Sequence, residues 1–155
     1  MNPFDLLDRA KKALTTACKN ITEHFTGKLD TISPLELSFK GLDSFGENVV
    51  FAPLDPENQE TLKVLHTITN IVRTAFVSAG IESTVLKERF TPHLTVARLT
   101  KAFYEVKLKR KFYEDLLTKY HGSHKVFEIE LLSMKLPPKN GYYHKFSSSN
   151  LLYLP

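Results

Sequence analysis

Phe90-Thr91-Pro92-His93-Leu94-Thr95 sets an imidazole and a hydroxyl two residues apart. On a strand, positions two apart project to one face, here about 6–7 Å from each other. That spacing suits a phosphate. The imidazole of His93 can give or take a proton near neutral pH, and the hydroxyl of Thr95 can donate a hydrogen bond to a phosphoryl oxygen. Pro92 stiffens the backbone just before the histidine and carries no N–H, which a strand start tolerates. Strict alternation groups His93, Thr95, Ala97 and Leu99 on one face and Leu94, Val96 and Arg98 on the other. Arg98 is therefore expected outside the cleft that His93 faces. An HxT triplet is common on strands, and a plain structural role is its usual reading.

A second group sits in Gly141-Tyr142-Tyr143-His144-Lys145-Phe146. Alternation puts Tyr142, His144 and Phe146 on one face and Tyr143 and Lys145 on the other. Aromatic rings beside a phosphate can stack on a nucleobase. In a terminal strand they equally serve cross-strand packing. The remaining histidines are weaker candidates. His24-Phe25-Thr26 spells HxT but falls at the end of a helical pattern. His66 lies near the apolar stripe of a helix and reads as a partly buried helix residue. His121 and His124 read as loop residues. Lys107, Lys109, Arg110, Lys111 and Lys119 could meet an RNA backbone or form a solvated helix face.

The elements that must position these residues are legible as periodicities. Leu6, Ala10, Ala13, Leu14, Ala17 and Ile21 predict a helix over 5–25, opened by Pro3 and closed by Gly27. Leu35, Leu37 and Phe39 alternate with polar residues as in a half-buried strand. A turn over 41–48 and a strand over 49–54 complete a hairpin. Asp55 as N-cap and Pro56 at the first helical position predict a helix over 56–79, closed by Gly80. A linker through Arg89 leads to a strand at 94–99. Residues 104–120 read as an exposed helix, 126–136 as a strand, 137–141 as a turn and 142–154 as a final strand. Hairpins alternating with helices predict an α+β domain with mainly antiparallel sheet.

The chain has 155 residues, 42% of them hydrophobic and 25% charged, with a formal net charge of +4. This suits one domain over 1–155 with its own core. The charge is compatible with a nucleotide or nucleic-acid ligand. Six glycines form no phosphate-cradling run, and no CxxC or HExxH spacing occurs. P-loop, dinucleotide-binding and zinc chemistry are accordingly not expected, and neither a cofactor nor a metal is. The single cysteine, Cys18, excludes an internal disulfide. No apolar run is long enough to cross a bilayer, and Met1-Asn2-Pro3 leads into an amphipathic segment rather than a secretory signal. The expected compartment is intracellular, cytoplasm or nucleus.

Three stretches in register resemble the A-kinase anchor protein 7-like branch of the two-histidine (2H) phosphoesterase superfamily, which includes RNA 2′,5′ ligase-like proteins. They are Leu37-Ser38-Phe39-Lys40-Gly41-Leu42-Asp43-Ser44-Phe45, Phe90 through Thr95 continuing to Lys101, and Gly141-Tyr142-Tyr143-His144. The resemblance implies a bilobal, LigT-like α+β fold of antiparallel sheets flanked by helices. Each lobe of that fold contributes one HxT strand. One histidine acts as general base and the other as general acid on a cyclic phosphate or 2′,5′ linkage, without metal. By the resemblance His93 and Thr95 are the second motif; Tyr142, Tyr143 and His144 are candidates for substrate contact, with core or cross-strand packing as the other reading.

The family pattern has its first HxT upstream of the helix over 5–25, whereas this chain opens at Met1 just before it. The expectation is thus an incomplete first lobe. Three readings of that gap stand: a short isoform or truncated gene model, a degenerate member that binds nucleotide or RNA without turnover, or recruitment of another group such as His144. The ligand expected is a nucleotide, a cyclic phosphate or an RNA end, with a non-catalytic nucleotide-binding or protein-interaction module as the alternative. A missing strand would also leave a sheet edge for self-association.

Overall fold

A computed structural model describes residues 3–26, 35–81, 90–99 and 106–151. Gly27, Arg89, Thr100, Lys101, the start of the helix expected at 104–120 and the last residues of the strand expected at 142–154 lie outside them. The elements in order are α1 (Pro3–Phe25), β1 (Leu35–Lys40), β2 (Asp43–Phe45), β3 (Val49–Pro53), α2 (Gln59–Ser78), β4 (His93–Arg98), β5 (Tyr120–Val126), β6 (Glu128–Ser133) and β7 (His144–Asn150). The α+β class follows from this order, with antiparallel pairing in β2–β3–β4 and in β6–β7. The chain divides into two compact units.

The first unit holds α1, α2 from Val64 onward, β6 and β7. Ala10, Ala13, Leu14, Ala17, Cys18, Ile21 and Phe25 form a stripe at helical spacing and are buried, as an amphipathic helix requires. α1 lays this stripe on β6 and β7. Small residues in the stripe let helix and sheet approach closely. Each large one, such as Ile21, contributes about 1.5–3 kcal/mol by burial. Leu6, expected in the stripe, is exposed. Burial also pushes the Cys18 thiol up, a hydrogen bond with Ser149 opposing the shift, so this cysteine is held as a thiol rather than a nucleophilic thiolate.

Helix α2 ends as expected. Gly80 has φ +66°; its N–H donates to Val77 O, and the Ile81 N–H to Phe76 O. This pair is a Schellman closure. Arg9 of α1 donates from Nε to Ala79 O at 2.9 Å, placing a cation on the negative end of the helix. The start of α2 differs from expectation. Asn58 is the N-cap, its Oδ1 accepting from Thr61 N at 3.3 Å. Asp55 instead closes a turn one step earlier, accepting from Glu57 N at 3.1 Å. Asp and Asn both suit either task, and the sequence does not say which takes which. His66 is exposed rather than partly buried, because it lies two residues from both Val64 and Ile68, on the far side of the buried stripe.

The second unit holds β1 from Glu36, β2, β3, the first turn of α2, β4 and most of β5. β1 and β2 form one arm of a hairpin against β3, broken at Gly41 and Leu42. Past the break the pairing continues as a bridge between Phe39 and Leu54. The predicted turn over 41–48 is thus partly strand, and the true turn is 46–48. Leu42, Val50 and Ala52 form the core, with Phe39, Ala97, Leu108, Tyr113, Leu116 and Leu117 packed on it.

Residues 106–119 do not form the expected α-helix. They make two short 3-10 turns, Arg110–Phe112 and Glu114–Leu116. The reason is tethering at both ends: Leu108 N donates to Glu47 O at 2.8 Å, and Lys119 O accepts from Gly41 N at 2.8 Å. Those hydrogen bonds and the inward packing of Leu108, Tyr113, Leu116 and Leu117 outweigh a weak helical period. His121 and His124, expected in a loop, lie on β5, which pairs with β1.

Gly41 combines two demands that only glycine meets. Its φ is +76°, and an added Cβ would collide with the carbonyl oxygen of Leu117. Gly46 has φ +60° with nothing within 4 Å. Gly41→Ala should therefore cost about 2–3 kcal/mol, from backbone strain plus collision, and Gly46→Ala only about 1 kcal/mol. Urea midpoints of the two variants test this, and equal shifts would contradict the close approach.

Candidate functional site

In the second unit β4 pairs with β3 in the register Pro53↔His93, Ala52↔Leu94, Phe51↔Thr95, Val50↔Ala97 and Val49↔Arg98. Between Val50 and Phe51 the register shifts, so Val96 is an extra residue in β4, a β-bulge. Cross-strand partners share a face. Phe51 and Pro53 therefore bring His93 and Thr95 to one face, while Val50 and Ala52, which are core, hold Ala97 on the other. Beyond the bulge the parity reverses. Arg98 pairs with Val49 and joins the face of His93 and Thr95. The expectation that Arg98 points away, and that Ala97 shares the His93 face, is corrected: strict alternation fails wherever a strand carries one extra residue. No local residue type announces this bulge, because Val96 is an ordinary strand residue.

His93 is oriented by its neighbours. Its ring meets Phe45 edge-on with centroids 4.9 Å apart and Phe51 at a tilt with centroids 5.2 Å apart. Phe45 and Phe51 stack on each other at 4.2 Å. Phe45 is the last residue of the first sequence stretch, brought here because β2 sets it opposite Val49. The same stretch supplies Phe39 to the core and Gly41 to the break. Its three characteristic residues thus serve packing, bending and histidine orientation in turn.

Nδ1 of His93 lies 2.7 Å from Thr91 O. A carbonyl only accepts, so this contact requires the proton on Nδ1 and leaves the lone pair on Nε2. Nε2 is then the atom able to exchange a proton with a ligand. On this face His93, Thr95 and Arg98 are all exposed. Neither the Thr95 nor the Arg98 side chain has a hydrogen bond or ion pair among the described residues. A general acid–base group, a hydroxyl and a guanidinium on one open face can hold a phosphate and move a proton to or from it.

Tyr142, Tyr143 and His144 belong to the first unit. Only His144 lies on β7; Tyr142 forms an isolated bridge with Lys139 in the preceding turn. β7 also carries an extra residue, Phe146, where the register steps from Lys145↔Leu132 to Ser147↔Leu131. The alternation expected for 142–146 accordingly does not apply. The Tyr142 hydroxyl donates to Glu130 Oε2 at 2.5 Å, and Lys145 Nζ pairs with Glu130 and reaches Glu128 at 3.5 Å. Tyr142 and Tyr143 meet edge-on at 6.1 Å, His144 and Phe146 at 5.3 Å. Tyr142 is thus engaged by a carboxylate of the adjoining strand β6. His24 and Thr26 sit at the end of α1, where Thr26 Oγ1 donates to Thr22 O at 2.7 Å, so this HxT triplet is helical and terminal, as expected. Among the described residues no group of three or more His, Cys, Asp or Glu is placed to hold a metal, and no helix is long and apolar enough to cross a membrane.

Hydrogen bonds from Lys145 and then Tyr142 hold the Glu130 carboxyl below its ordinary range. The Glu130 carboxylate in turn holds the Tyr142 phenol and the Lys145 ammonium above theirs. A depressed carboxyl stabilises the fold above its unfolded pKa and loses that contribution as pH falls through the folded value. Lys145→Gln should raise the Glu130 titration midpoint toward the usual carboxylate range, read by carboxyl NMR shifts. An unmoved midpoint would show that the pair is not formed.

Comparison with known proteins bears on the whole arrangement. The family described as the AKAP7 2'5' RNA ligase-like domain matches residues 5–151, and a search of curated proteins finds no match. The matched span takes in both units, the hairpin stretch that orients His93, the β4 triplet and the Gly-Tyr-Tyr-His turn, and the chain accordingly belongs to the AKAP7 2'5' RNA ligase-like domain family.

Proposed function

We propose that the chain binds the phosphate of a nucleotide, a cyclic phosphate or an RNA end on the β4 face, through His93, Thr95 and Arg98. The observation that carries this reading is the bulge at Val96, which turns Arg98 to the face of the histidine and the hydroxyl, next along that face from Thr95. Arg98 supplies charge, Thr95 a hydrogen bond, and Nε2 of His93 a site for proton exchange. The family match, which runs through both units, supports treating them as one functional domain. An intracellular setting, where such ligands are made, fits the same reading.

Cleavage of a phosphodiester by acid–base chemistry needs one group to take a proton and another to give one. The β4 face carries one histidine. The reading is therefore ligand binding with weak turnover. In this proposal Tyr142, Tyr143 and His144 remain candidates for substrate contact in the first unit, with the Tyr142 hydroxyl already engaged by Glu130.

Incubation with 2′,3′-cyclic nucleotides and 2′,5′-linked dinucleotides, together with titration of AMP and CMP, tests the site. Whatever turnover exists should fall about 10²–10⁴-fold in His93→Ala. Arg98→Gln should weaken nucleotide binding about tenfold or more, the loss of one charge-assisted hydrogen bond. Turnover or binding that ignores both substitutions would dismiss the β4 face. Absence of both in the unaltered chain would favour a non-catalytic interaction module.

A further inference from the structure

The sheet of the second unit runs β2–β3–β4, and no described strand pairs with the outer side of β4. Pro53 has no N–H, so its pairing with His93 is of the kind that exchanges no hydrogen bond. The backbone N–H and C=O of His93 therefore point to the outer side of β4. Those of Thr95, two residues on, do the same. None of these groups has a hydrogen-bond partner among the described residues. Leu94 between them is 52% exposed, although it lies on the side of buried Ala52, and Val96 is 57% exposed. Phe45 and Phe51, whose rings hold His93, belong to β2 and β3, across β4 from this edge.

An exposed edge is a template for another strand, and charges, prolines and bulges usually blunt it. Here Pro92 and the bulge at Val96 blunt the two ends and leave His93, Leu94 and Thr95 open between them. Turned about a two-fold axis at Leu94, this stretch is its own complement. Leu94 meets the partner's Leu94, an apolar pair. His93 meets the partner's Thr95, and no like charges stand opposite each other.

We infer that β4 pairs antiparallel with β4 of a second copy, Leu94 opposite the partner's Leu94, so that two copies build one phosphate site. His93 then exchanges both backbone hydrogen bonds with the partner's Thr95. Opposite side chains in such a ladder stand about 4.5–5.5 Å apart and diagonal ones about 7–8 Å. Each imidazole lies beside the hydroxyl of the other copy, and the two imidazoles face each other diagonally across a gap wide enough for a phosphate. The second copy thus supplies the second proton-exchanging group that a single β4 face lacks. The contact uses the same patch on both copies, so it closes at a dimer. The inference rests on the β4 reading for the phosphate, and the measurements below separate the two.

Mild oxidation of the variants Leu94→Cys and Val96→Cys tests the register. Leu94 and the partner's Leu94 would stand about 4.5 Å apart at Cα, within disulfide reach. Val96 and the partner's Val96 would be on the order of 13 Å apart along the strands. Non-reducing electrophoresis should show a linked dimer for Leu94→Cys and none for Val96→Cys, although the two positions are similarly exposed. Cys18 is buried and takes no part. AMP should speed the linking several-fold, because a ligand held by the pair draws the equilibrium toward it. Calorimetric titration should saturate at one AMP per pair of chains. Absence of linking at Leu94, or equal linking at both positions, would overturn the pairing and leave the edge to a different peptide. A linked dimer that binds one AMP per chain would overturn the shared site while the β4 reading stands. AMP binding unchanged in His93→Ala would remove the β4 reading and the shared site with it.

Discussion

Between Gly41 and Leu117 two backbones come closer than any side chain allows. The hydrogen bond from Gly41 N to Lys119 O crosses the same gap. The hairpin arm breaks there, and the two halves do different work. The β1 half runs on to pair with β5 and sends Phe39 into the core. The β2 half turns Phe45 onto His93. The tethered segment 106–119, and with it the outward cations at 109–111, follows from the same closeness.

Orientation of His93 is a matter of packing more than of hydrogen bonding. Two phenylalanine rings restrict the imidazole, and one carbonyl selects the proton position. A histidine held in this way loses little rotamer freedom when a ligand arrives, which reduces the entropy cost of binding. The polar groups on its face are spared: the Thr95 and Arg98 side chains have no hydrogen-bond or ion-pair partner among the described residues. In the first unit the opposite holds. Tyr142, Glu130 and Lys145 satisfy one another, so the most conspicuous polar aromatic of the Gly-Tyr-Tyr-His stretch has a structural partner. Membership of one family does not oblige every motif residue to touch ligand.

Much of this was written locally. The stripe from Ala10 to Phe25, the Gly80 closure, the hairpin around 35–54 and the strand that carries His93 all rest on periodicity or on single-residue backbone chemistry, which a sequence displays directly. The three motif stretches likewise pointed to the family that the match over residues 5–151 shows. Other readings failed for reasons a sequence does not contain. The Asp55 cap lost to Asn58 because both can cap. The helix over 104–120 was overruled by hydrogen bonds from residues more than fifty positions away.

The sequence by itself determined that an imidazole and a hydroxyl share one face of a strand, because their spacing of two matches the strand period. Only the tertiary structure decided that Arg98 joins them and that Ala97 does not. Face assignment beyond His93 and Thr95 depends on register against β3, and the extra residue at Val96 reverses it. Register is a property of two strands packed together, set by which side chains find the core, and neither strand carries it alone.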